Sequence, residues 1–90
     1  MTEDELFALA FKEENGVVEA HPVLGETIGT VKFIGAFYET TNREAIMLAL
    51  LSLAKLASLV GLTDDEFRAA AETTLAVRDR IDRRLGEKLS

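Results

Sequence analysis

From Asn42 to Val60 the chain spells a helix that is apolar on almost every side. Ile46, Leu50, Leu53, Ala57 and Val60 recur at helical spacing on one face. Met47, Leu51 and Ala54 make the next, and Ala49 and Leu56 fill the flank. Glu44, Ser52, Lys55 and Ser58 leave only a narrow polar stripe, bordered by Leu48, Leu51 and Leu59. A surface helix normally exposes about half its circumference. This one must be buried, and the rest of the chain has to supply its cover.

That demand is heavy for 90 residues. A chain this short forms one domain, residues 1–90, and buries a smaller share of its surface than a large one. Small domains offset the deficit with disulfides, a metal or oligomerisation. There is no Cys, which excludes disulfides and thiolate metal sites. One His excludes a multi-histidine site within one chain. Oligomerisation is the route left. Leu48, Leu51 and Leu59, with Lys55 between them, are the expected interface of a homo-oligomer, with a two-fold dimer favoured. The competing expectation is that the first helix and a hairpin wrap the helix completely, as the core of a monomer.

Three helix starts are written as T-x-x-E capping boxes: Thr2 to Glu5, Thr41 to Glu44 and Thr63 to Glu66. The first predicts a helix from Glu3 to Glu13, with Asn15-Gly16 ending it. Between Gly16 and Glu39 the pattern turns β-branched and glycine-rich. Val17 to Ala20 reads as a short strand, His21-Pro22 as a turn and Thr27 to Tyr38 as a strand. On that reading Gly29 and Gly35 mark bulges, bends or a close backbone approach. The last helix, Asp64 to Leu85, would bury Phe67, Ala70, Ala71, Thr74, Val77, Ile81 and Leu85. Gly61-Leu62-Thr63 is so short a link that the last two helices must be antiparallel neighbours. The expected class is α+β: an N-terminal helix, a β-hairpin of two to three antiparallel strands, and a C-terminal antiparallel helical hairpin.

The net charge of −6 argues against nucleic acid or an anionic membrane as the main partner. The N-terminal MTEDELF is acidic, unlike the basic start of a signal peptide, and the apolar run from Ala45 to Val60 is short for a bilayer. A cytoplasmic protein is therefore expected.

No catalytic, metal or cofactor motif is present in the sequence, so no catalytic residue, metal ligand or cofactor is assigned. Tyr38, Thr40, Asn42 and Arg43 place polar groups at a helix N-terminus, where an anionic ligand would be favoured. Against this, the capping box already accounts for Thr41 and Glu44. His21, near Glu19 and Glu26, is a candidate general base or a locally bonded turn histidine. Arg80, Arg83, Arg84 and Lys88 could hold an acidic partner or nucleic-acid phosphate, or simply suit a helix C-terminus. The expected function is a non-enzymatic oligomeric binding or regulatory module (an adaptor, chaperone-like subunit or inhibitor) acting through protein–protein contacts. The alternative is a binder of small anionic ligands at the strand–helix junction between protomers, and a small enzyme ranks last.

Overall fold

A computed structural model describes the backbone of residues 1–89 and the side chains of residues 1–86. The order is α1 (Glu3–Ala10), β1 (Phe11–Glu14), β2 (Val17–Ala20), α2 (Pro22–Phe37), α3 (Asn42–Leu59) and α4 (Asp64–Leu89). The α+β class, the N-terminal helix, the two-stranded hairpin and the C-terminal helical pair are all present.

All three capping boxes form. In each, the Thr oxygen accepts from the amide three residues on, and the Glu carboxylate accepts from the Thr amide. Gly61 takes the left-handed conformation at φ 91°, and the Leu62 amide donates back to the Ala57 carbonyl, which closes α3.

Asn15-Gly16 does a different job from ending a helix. Both residues have positive φ, 52° and 78°, and they turn the chain between β1 and β2. Asn-Gly suits a tight hairpin because both central residues must be left-handed. The helix therefore stops at Ala10, and Phe11–Glu14 pairs antiparallel with Val17–Ala20, Phe11 opposite Ala20 and Glu14 opposite Val17.

The second correction is larger. Thr27 to Tyr38 is not a strand: Pro22–Phe37 is one continuous helix. His21 is its N-cap, its Nδ1 accepting from the Val23 amide at 3.1 Å, and Pro22 stands in the first turn, where a missing amide proton costs nothing. Leu24, Ile28, Val31 and Gly35 repeat at helical spacing. Gly35 is the close approach to α3: a Cβ there would lie 2.9 Å from the Ala45 Cβ. Both Gly35 and Ala45 are buried. Tyr38 to Thr41 joins α2 to α3, with Glu39 left-handed at φ 58°.

Two packing units result. In the first, α1 sits against the C-terminal half of α4, where Ala10, Val77 and Ile81 are buried, and β1 of the hairpin is tied to α4 through Glu13. Arg80 stacks 4.0 Å over the Phe7 ring and pairs with Asp4 at 2.7 Å, while Arg84 pairs with Glu13. The second unit is the α2–α3 layer. The expected burial of Asn42 to Val60 is not met within one chain, because α3 buries only Ala45. Ala70, Ala71, Thr74 and Leu85, expected inside, are exposed on α4. The hairpin and α1 pack on α4 and leave the leucines of α3 open, so they do not wrap it. The protomer has a radius of gyration of 15.0 Å, where a compact chain of this length has about 12 Å. Among the described residues no helix is long and apolar enough to cross a membrane.

Candidate interaction surface

The junction between α2 and α3 is built first by contact and then by capping. The Gly35 carbonyl accepts from both the Thr40 amide, at 2.9 Å, and the Thr40 hydroxyl, at 3.1 Å. Thr41 caps α3, and the Glu44 carboxyl is held below its ordinary pKa by its hydrogen bonds to the Thr41 backbone and side chain.

This geometry separates the residues expected to bind an anion. Tyr38 and Thr40 line a groove on one side of the layer, with Ile34, Leu48 and Ser52. Asn42 lines a groove on the other side, with Ile28, Ile46, Leu50 and Leu53. Arg43 is exposed and lines neither. The Thr40 proton is committed to the Gly35 carbonyl and the Thr41 oxygen to the Glu44 amide. Within one protomer the four residues line no common groove.

The remaining candidates have structural roles. His21 accepts at Nδ1 as a helix cap, so a neutral ring carries its proton on Nε2. Arg80 and Arg84 fasten α1 and β1 to α4 through Asp4, Glu3 and Glu13. Arg83 faces the same shallow cleft as Phe7 and Glu13. The side chain of Lys88 lies outside the described residues. Arg78 turns to its neighbour Asp79 at 2.9 Å, which raises its pKa further. Among the described residues no group of three or more His, Asp or Glu could hold a metal ion.

The surface that stands out is apolar. Leu51 and Leu59 are 68% and 70% exposed, and Leu48 and Lys55 are also open to solvent. Around them lie Ile46, Met47, Leu50 and Leu53, all exposed. On α2, Phe33 and Phe37 stack with ring centroids 6.5 Å apart, and Tyr38 meets Phe37 edge-on at 4.9 Å. All three rings are open to solvent, and Phe33 is 70% exposed. A strand over residues 27–38 would also put Phe33 and Phe37 on one face, but Tyr38 on the other. At helical spacing Phe33 and Phe37 are i,i+4 neighbours and fall together.

The two grooves hold about 230 and 470 Å³ and are broad and open rather than enclosed. Each is lined chiefly by aliphatic side chains with few polar groups, so it lacks the convergent polar set that orients a reacting substrate. No family model, curated protein or solved structure matches the chain.

Proposed function

We propose that the chain is the protomer of a homo-oligomer, with a dimer favoured, and works as a non-enzymatic binding or regulatory module through protein–protein contacts. One observation carries this reading. The protomer exposes 7452 Å², whereas a compact monomer of 9.9 kDa exposes about 5,200 Å². The excess of about 2,250 Å² is close to what one protomer hides in a large obligate homodimer. The apolar character of that surface supports protein contact, since exposed apolar patches of monomers rarely exceed a few hundred Å².

Light scattering and thermal unfolding over a dilution series test the reading. An oligomer has a mass above 9.9 kDa and a melting temperature that falls on dilution. A 9.9 kDa species whose stability does not change with concentration would overturn it.

A further inference from the structure

Resting on the oligomer reading, we propose that the α2–α3 layer is covered by the same layer of a second copy, related by a two-fold axis. The four helices form the centre of an interlocked dimer. The two α1–hairpin–α4 units lie outside it.

The location comes from where the exposed apolar side chains fall. Among the described residues, 16 of the 22 large ones lie between Val23 and Val60, and the other six are Met1, Leu9, Val17, Leu62, Leu75 and Leu85. Interfaces are enriched in aromatic residues and Met, and this surface offers the Phe33–Phe37–Tyr38 ridge at the end of α2 and Met47 among the leucines of α3.

Charge points to a second copy as the occupant. Residues 22–61 carry Glu26, Glu39 and Glu44 against Lys32, Arg43 and Lys55, so the layer is neutral. Residues 1–21 hold six acids and one lysine. Two copies meeting through the layer bring no net charge together. Meeting through the N-terminal unit, each would oppose the other's acid excess, which is costly at an interface. A neutral, apolar and aromatic face asks for no partner of opposite charge and suits a self-complementary contact.

Area sets how the copies meet. A dimer that removes the whole excess buries about 4,500 Å² in total, within the range of obligate homodimers. Two helices about 27 Å long and 10 Å wide present only some 540 Å² of projected area on one side. One flat face falls well short of about 2,250 Å² per chain. Both sides of the layer must be covered. Ile34, Tyr38 and Leu48 open to one side, and Ile28, Ile46 and Leu50 to the other. The copies accordingly interlock instead of stacking face to face. The uncovered stretch of α4 at Ala70, Ala71 and Thr74 offers the partner's layer a second wall.

Thiol labelling of the full chain tests this directly, because the sequence contains no cysteine. Leu48→Cys and Ile46→Cys sample the two sides of the layer, and Val17→Cys samples the hairpin. In the lone protomer the three positions are similarly open, at 56%, 53% and 59%. Each variant is reacted with a maleimide while its mass is read by light scattering. The proposal expects twice the protomer mass, rapid labelling at position 17 and labelling slowed at least about tenfold at both 46 and 48. Dilution should release both layer positions together as the dimer dissociates. A dimer in which positions 46 and 48 label as fast as 17 would overturn the layer as the interface and leave the oligomer reading standing. A stable oligomer larger than a dimer would overturn the two-fold arrangement. A monomer at every concentration would overturn both, including one with positions 46 and 48 protected, since its cover would then come from its own chain.

Discussion

Gly35→Ala is the sharpest probe of the α2–α3 contact. The added Cβ would lie 2.9 Å from the Ala45 Cβ and 3.2 Å from the Thr40 Oγ1. Carbon atoms in good contact sit about 3.5–4.0 Å apart, so the helices must separate by more than half an ångström. Overpacking of this kind costs about 1–3 kcal/mol. Crowding the Thr40 hydroxyl also weakens its bond to the Gly35 carbonyl, worth about 1 kcal/mol. Replacing Gly in a helix interior returns up to about 1 kcal/mol. The expected net loss is about 1–2 kcal/mol, or roughly 4–16 °C in melting temperature for a domain of this size. Chemical denaturation at one fixed protein concentration reads it. Gly86→Ala is the control, because a Cβ there meets nothing within 4 Å and only the backbone gain of up to about 1 kcal/mol applies. Adding Ala45→Gly to Gly35→Ala removes the clashing atom, so the pair should be less destabilised than the separate changes summed, by at least about 1 kcal/mol. If Gly35→Ala stabilises the protein as Gly86→Ala does, the helices do not meet as described.

Further outcomes follow from the caps and the clamp. The Glu44 and Glu5 carboxyls have folded pKa values below their ordinary range, set first by the backbone hydrogen bonds to Thr41 and Thr2. Their contribution is complete above the unfolded carboxylate's titration near pH ~4.3 and is lost as pH falls through the lower folded value. Glu44→Gln should therefore flatten the fall in stability between about pH 5 and pH 3, measured by urea denaturation; an unchanged slope would count against the cap as the cause. Arg80→Ala removes the stack on Phe7 and the pairs with Asp4 and Glu3, and should cost about 1 kcal/mol after solvent screening. Arg80→Lys keeps the charge but not the planar stack and should fall between the two. Equal stability of all three proteins would show that the clamp contributes nothing.

Much of this was legible because it is local. A capping box needs only four consecutive residues, so Thr2, Thr41 and Thr63 announce their helices without any tertiary context. Gly61 announces the end of α3 in the same way. Pro22–Phe37 was misread because its residues prefer another state. Thr27, Ile28, Thr30 and Val31 are β-branched, and Gly25, Gly29 and Gly35 weaken any helix. Its helical pattern rests on packing, in the 24-28-31-35 spacing and the contact at Ala45, which only a folded chain reveals. The His21-Pro22 start and the Asn15-Gly16 turn were visible in the sequence and were outweighed by that propensity. At the candidate surface, Leu48, Leu51 and Leu59 were legible from a single helical wheel. The aromatic ridge was legible in part: alternation also sets Phe33 and Phe37 on one face of a strand, but only the helix end brings Tyr38 against Phe37. The split of the anion-binding candidates was not legible: within one protomer, Tyr38 and Thr40 line one groove and Asn42 another, although they are neighbours in sequence.

The clamp between α1 and α4 also orders events during synthesis. At eight residues, α1 is too short to persist alone in water. Its partners, Val77, Arg80 and Ile81, are made about 70 residues later, some 4–15 s at ordinary elongation rates. Through that interval the capped helices α2 and α3 emerge while the first segment of the chain has nothing to dock on. The residues of α1 are thus made well before the wall they fasten to, and a ribosome that stalls before residue 77 leaves α1 and the hairpin with nothing to close against.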